Sequence, residues 1–309
     1  MVAQTLGRFA LKLIGQALSR LPRSAQILLG RALGNVLRLL RWKRALVGSN
    51  LLLAFPGASL EASAYRQSIE TRFYGHFGNL VIELLCQFGD WKRWVLSNIE
   101  LSGLENWEKA HSRGKGVMFI TSHLGNWEAM AAGFSSQGRD LLIVTKHLKP
   151  EWVHQTFEFN RLKAGVRGTY EPKTMKDVLR QLTKGGSVGF VLDQYAGPPI
   201  GVRVPFFGVP VGTLQAPAAI VRRTGAAALP AVCYRDSDGR LKVQVGAEIP
   251  WEAHENPHEE LARNTAKWVA SIETSIRSHP DQWLWSHRRF KGDLSPLAPG
   301  EWAQPRERR

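Results

Sequence analysis

The chain has 309 residues, is 44% hydrophobic and carries a formal net charge of +15 from 41 Lys and Arg against 26 Asp and Glu. That length fits one large domain, or one domain with a helical extension. Its two cysteines, Cys86 and Cys233, are far apart and lack metal-ligand spacing, which excludes a disulfide framework and suits a reducing compartment.

The first segment concentrates the charge. Arg8, Lys12, Arg20, Arg23, Arg31, Arg38, Arg41, Lys43 and Arg44 precede the first acidic residue, Glu61. Such a stretch seeks anions: phospholipid headgroups, nucleic acid or an acidic protein. Leucines are threaded between the charges in "LKLIGQALSRLPRSAQILLGRALGNVLRLLRW". No uncharged apolar run reaches the roughly 18 residues of a spanning helix. A signal peptide fits poorly too, since charge breaks the apolar stretch and no small-residue cleavage pattern closes it. Helices are expected near 3–20, 23–40 and 43–53, as basic amphipathic elements lying in a membrane interface. The expected organisation is a membrane-associating helical segment over 1–58, a catalytic domain over 59–296 and a loose tail over 297–309.

Ser59 is the expected cap of a longer helix reaching about Phe88, with Glu61 in its first turn. From residue 100 the pattern changes. Short apolar runs at 116–122, 140–146, 187–193 and 227–235 read as buried strands, and 241–249 as a half-exposed one. A helix is expected within 172–186, with Pro172 at its start, and another from Asn256-Pro257 to about Pro280. Strands alternating with helices argue for an α/β domain with a mostly parallel central sheet flanked by helices.

One stretch carries chemistry. In "FITSHLGNWE", residues 119–128, His123 ends the first buried strand and Gly125-Asn126 turns into a helix. Ligand sites of open α/β sheets gather at the carboxyl ends of strands. With Asn126 as cap, Glu128 falls in the first helical turn, within reach of His123. A histidine whose second nitrogen is held by a carboxylate is a general base for a hydroxyl. The i, i+4 histidine pair of a zinc helix is missing, so no metal is expected.

"SHLGNWE" resembles the H-x4-[DE] motif of membrane acyltransferases, and more narrowly the bacterial lipid A biosynthesis (late lauroyl/myristoyl) acyltransferases. "VGSNLLLAFPGAS" (47–59), "LDQYAGPPIGVRVPFFGVPVGT" (192–213) and "HPDQWLWSHRRFK" (279–291) are similar to further blocks of that family, so the resemblance covers nearly the whole chain. It implies a glycerolipid acyltransferase-like fold and transfer of an acyl chain from an acyl carrier protein or coenzyme A thioester to a hydroxyl of a glycolipid, by default a lipid A precursor. It implies no cofactor, and a place on the cytoplasmic face of the bacterial inner membrane, peripheral or monotopic. His123 and Glu128 would be catalytic. The resemblance gives Arg161, Asp193 and Gln194 substrate-binding roles, Arg161 as a contact for an acceptor phosphate or the donor's phosphopantetheine, and Asp193 as a contact for acceptor hydroxyls or a support for the basic residues. Tyr195 departs from the pattern, since many members have aspartate or asparagine there. The "WLWSHRRFK" block reads as packing plus an anion-facing edge, with His287 as the rival base. A phosphatidylinositol mannoside acyltransferase using acyl-CoA is the alternative within the class. A nonenzymatic binder of anionic membrane or nucleic acid is the alternative outside it; no nucleic-acid motif supports a nucleic-acid partner.

Overall fold

The computed structural model describes residues 2–297 and Trp302, so the expected loose tail lies outside the described residues apart from Leu297 and Trp302. Three helices come first: α1 (Val2–Arg20), α2 (Arg23–Leu39) and α3 (Arg44–Ala54). Pro22 breaks α1 from α2, because its ring supplies no N–H and fixes the backbone angle. Ser59 then caps α4 (Leu60–Cys86), its hydroxyl accepting from the Ala62 N–H.

Glycine decides how α2 meets α4. A methyl group on Gly30 or Gly34 would come within 2.1 Å of Asn79 or of the Tyr74 carbonyl oxygen. The two helices therefore pack backbone to backbone, as small residues at i and i+4 permit. This leaves the opposite faces of α1 and α2 turned outward, with Leu6, Phe9, Leu28, Leu39 and Leu40 all exposed among the basic residues.

The remaining elements are α5 (Trp91–Asn98), β1 (Ile99–Ser102), α6 (Leu104–His111), β2 (Val117–Thr121), α7 (Trp127–Ser135), β3 (Leu141–Val144), α8 (Glu151–Lys163), β4 (Val166–Thr169), α9 (Thr174–Thr183), β5 (Ser187–Val191), β6 (Gly201–Phe206), β7 (Val209–Leu214), α10 (Ala216–Thr224), β8 (Ala227–Arg235), β9 (Leu241–Val245) and α11 (Pro257–Ser278). A sheet of order β1-β9-β8-β2-β5-β3-β4 is parallel except at the β8–β9 pair. The molecule is thus α/β with a mostly parallel sheet, as the alternation of strand and helix signals predicts. Central strand β2 is buried along its whole length. Val117 and Phe119 face a core shared with α5 and α7, while Met118 and Ile120 face one shared with α4, α9, α10 and α11. A strand covered on both faces reads as a continuous apolar run, which is why "VMFIT" lacks alternation.

The predicted strand at 241–249 ends at Val245, and β1, β4 and the β6–β7 hairpin had no periodic signal. The hairpin stands apart from the sheet and packs on α11, through Phe206 and Phe207. Both rings are core residues.

Candidate active site

Sheet register brings the site together. β2 and β5 are parallel neighbours with Thr121 opposite Val191. His123 and Asp193 each lie two residues beyond that pair, so two residues remote in sequence emerge side by side at the carboxyl end of the sheet.

The chain after β2 is held on both sides. The Leu284 N–H donates to the His123 carbonyl and the Gly125 N–H to the Gln282 carbonyl, at 3.1 and 3.0 Å. Gln282, Trp283 and Leu284 thereby lie antiparallel against the turn, with Trp283 opposite Leu124. Gly125 has φ +63°, and a Cβ there would sit 2.2 Å from the Cys233 carbonyl oxygen, so the turn requires glycine. Asn126 caps α7 by accepting the Ala129 N–H at 2.9 Å.

His123 is bonded to Asp193. Asp193 Oδ1 lies 2.8 Å from the ring Nδ1, and Oδ2 accepts the His123 backbone N–H at 2.7 Å. Oδ2 also accepts the Trp283 indole N–H at 2.6 Å. Indole and amide nitrogens can only donate, so this fully buried carboxylate acts as an acceptor, and the Nδ1 proton of His123 points at it. Burial opposes ionisation of Asp193, but the His123 charge, its hydrogen bond and the indole outweigh that and hold its pKa below the usual carboxylate value. For His123, burial favours the neutral ring, yet Asp193, with a smaller through-space contribution from Glu128, raises its pKa above 6.5. The Trp127 ring stands edge-on to the imidazole at 4.6 Å. Nε2 faces the Gln194 amide at 3.3 Å, and the His123 side chain keeps 15% of its surface exposed. Nε2, whose lone pair faces the Gln194 amide, is the ring nitrogen without a carboxylate partner.

Glu128 does something else. The sequence spacing predicts that it reaches back to hold the imidazole, but its carboxylate is taken by Arg161 of α8. Nε donates to Oε2 at 2.9 Å and Nη2 to Oε1 at 2.6 Å, a bidentate pair with both side chains buried. Arg161 Nη1 further donates to Glu158 at 2.8 Å. The fork expected to hold a phosphate is thus engaged inside the protein. The physical reason is geometric. From the first turn of α7, the side chain of Glu128 points toward α8, whereas the end of β5 lies beside His123 by register.

Gln194 lines the ring directly. Arg289 belongs to the block read as packing plus an anion-facing edge; it is fully buried and organises the same corner instead. Its Nη1 donates to the Gln194 and Gly212 carbonyls at 2.7 and 2.8 Å, its Nη2 to Thr213 at 2.7 Å, and its guanidinium lies 4.9 Å from the Phe206 ring. Burial lowers its pKa to about 10, with Asp193 offsetting part of that. Trp283 and Arg289 escaped sequence reasoning because tryptophan and arginine in an apolar block announce packing, not orientation of a carboxylate. The rival base, His287, has no hydrogen-bond partner at Nδ1 among the described residues. The nearby acids in sequence, Asp281 and Asp293, pair with Arg72 and Arg203. Among the described residues no group of three or more His, Cys, Asp or Glu could hold a metal ion.

A histidine with one nitrogen held by a buried carboxylate and the other free of any carboxylate can take a proton from an acceptor hydroxyl. Known proteins are similar over the same span. The chain is 27% identical over 277 residues to the lipid A biosynthesis lauroyltransferase of Escherichia coli K12, covering 88% of this chain and 87% of that one. It is 26% identical over 286 residues to the lipid A biosynthesis palmitoleoyltransferase of the same strain, with the same coverage. It is 26% identical over 204 residues to a phosphatidylinositol mannoside acyltransferase of Mycobacterium tuberculosis H37Rv, covering 63% of this chain and 61% of that one. The sequence model of bacterial lipid A biosynthesis acyltransferases matches residues 2–292, so the chain belongs to that family and is an enzyme that acylates a lipid.

Proposed function

We propose that the enzyme transfers a fatty acyl chain from acyl carrier protein to a hydroxyl of a lipid A precursor, with His123 as general base and Asp193 as the carboxylate that orients it. The observation that carries this reading is the Asp193–His123 bond, which leaves Nε2 as the acceptor nitrogen, lined by the Gln194 amide. The acceptor hydroxyl gives its proton to Nε2 as its oxygen attacks the thioester carbonyl. Collapse of the tetrahedral intermediate expels the thiolate, which the imidazolium can reprotonate, returning the ring to neutral. Asp193 stabilises the transient imidazolium. Glu128 acts through space and by fixing α8 beside the turn, through Arg161.

The E. coli lauroyltransferase and palmitoleoyltransferase support the lipid A precursor as acceptor. The basic surface favours an acidic carrier protein as donor over coenzyme A. The mycobacterial relative favours a second reading, acyl-CoA with a phosphatidylinositol mannoside acceptor. Both place the enzyme on a membrane surface. No helix among the described residues is long and apolar enough to cross a bilayer. The exposed leucines and basic side chains of α1 and α2 suit a helix pair lying in an anionic interface on the cytoplasmic side.

The test incubates wild-type and His123→Ala protein in detergent with acyl carrier protein thioesters of several chain lengths and a tetra-acylated lipid A precursor, read by mass spectrometry. The expected result is one added acyl mass with wild type and a loss of about 10²–10⁴-fold in the folded variant. Wild type inert with this pair but active on acyl-CoA and phosphatidylinositol mannosides would establish the second reading. An undiminished His123→Ala enzyme would remove the base.

A further inference from the structure

Another buried carboxylate lies behind the turn that carries His123, outside the chemistry described above. Glu83, on α4, is 1% exposed. Its Oε1 accepts from Arg23 Nη2 and from Arg235 Nη1, and its Oε2 accepts from Asn126 Nδ2 at 3.0 Å. Burial opposes its ionisation, but the Arg235 and Arg23 charges overcome that and bring its pKa down to about 2. His76, about two helical turns earlier, is buried within range of Arg235, Glu83 and the Gly125 backbone. Burial and Arg235 push its pKa down to about 3, so the ring adds no second charge.

Each ligand of Glu83 belongs to a different part of the fold. Asn126 is fully buried in the turn that follows His123, and its amide is used at both ends: Oδ1 caps α7 and Nδ2 donates to Glu83. Arg235 ends β8. Arg23 is the first residue of α2 and also donates to the Gly239 carbonyl and to Gln26 Oε1. Gln26 in turn donates to the Leu18 and Leu21 carbonyls, which fixes the α1–α2 corner. A chain of polar contacts therefore runs from the corner of the two outward-facing basic helices, through Glu83, to the turn that carries the base.

We propose that Glu83 is a positioning residue: through Asn126 it sets the placement of the His123–Glu128 turn, and through Arg23 it ties that placement to the seating of α2. The proposal rests on the reading of His123 as the base. Helices α1 and α2 face outward with exposed apolar side chains, so their seating is the part of the molecule a membrane surface would alter. Such a link makes the geometry at Nε2 sensitive to that seating. Misplacement of reacting groups by about 1 Å costs on the order of 10²-fold.

Asn126→Ser is the informative variant. Serine still caps α7, so the helix keeps its first turn, but its hydroxyl is too short to reach Glu83. Two readouts are taken, kcat and KM for acyl transfer, and the ring-nitrogen signals of His123 in 15N-histidine-labelled protein, assigned by their loss in His123→Ala. The expected result is a thermal midpoint close to wild type, a fall in kcat of about 10–100-fold with KM nearly unchanged, and a shifted or broadened His123 signal. Arg23→Met, far from the chemistry, should move both readouts in the same direction by less. A folded Asn126→Ser protein with the wild-type His123 signal overturns the proposal, whether or not an active substrate is in hand. A wild-type protein that transfers no acyl chain, but whose His123 signal moves in Asn126→Ser, would count against the assigned reaction and not against the link. An Arg23→Met protein unchanged in both readouts overturns the tie to α2.

Discussion

Asp193 and Glu128 are two buried carboxylates that both act on one imidazole, and their partners set them apart. Asp193 is satisfied by an indole, a backbone amide and the imidazole itself. None of these carries a fixed charge, so Asp193 keeps its negative charge for the imidazolium that the proposed mechanism forms on His123. Glu128 is closed by a guanidinium through two bonds, and Arg161 cancels most of its field. The pKa of Arg161 is raised by the same pair, against the effect of burial. A carboxylate held by neutral donors can serve a base. One held by an arginine fastens helices together.

The largest expected effect tests the first half of that contrast. Asp193→Asn replaces an acceptor by a group that cannot stabilise imidazolium and that accommodates the wrong tautomer. It should lower kcat/KM about 10²–10⁴-fold. Glu128→Gln should cost less than Asp193→Asn in kcat/KM measured under the same conditions. Equal losses would mean that the two carboxylates share one role.

Stability should reverse the order. Arg161→Met leaves Glu128 buried without its cation, and breaking a buried pair in this way costs about 3–5 kcal/mol. Replacing both partners, as Arg161→Met with Glu128→Leu, should recover most of that, since two apolar groups leave nothing uncompensated. Urea unfolding of the two single variants and the double variant measures this. Additive losses in the double variant would show that the pair is not what holds α8 against the turn. Asp193→Asn keeps the acceptor oxygen for at least one of its neutral donors and should cost roughly 1–3 kcal/mol.

The contrast also marks how far sequence carries. Central strands, the Ser59 and Asn126 caps, and the placement of His123 at a strand end were all legible, because apolar runs and capping residues act locally. The partner of His123 was not. Spacing within one motif favours the carboxylate five residues away, whereas Asp193 arrives through the pairing of β2 with β5, a property of register that no single segment encodes. Asp193 was legible as a site residue only by resemblance. Trp283 and Arg289 were hidden for the same reason, since their partners lie 90 or more and 76 or more residues away. Glu83 sat unnoticed on a helix that reads as ordinary, because the charges that hold it come from α2 and β8.

The smallest expected effect lies in the pH profile, and its sign is diagnostic. A base must be neutral, so kcat/KM should fall as pH drops through the pKa of His123, which lies above 6.5. The same raised pKa contributes stability that is fully present below the unfolded value and is lost as pH rises through the folded one. Asp193→Asn removes the main raising influence and leaves burial, so its acid limb should move to lower pH, past the ordinary histidine value. Glu128→Gln should move the limb the same way but less, because its contribution acts only through space, even though the positive arginine it leaves behind adds to the shift. The Arg161→Met and Glu128→Leu double variant removes both charges together and should therefore restore the limb toward wild type. If Glu128→Gln instead shifts the limb as far as Asp193→Asn, Glu128 must bond the ring during turnover, and the separation between the two carboxylates would hold only in the resting enzyme.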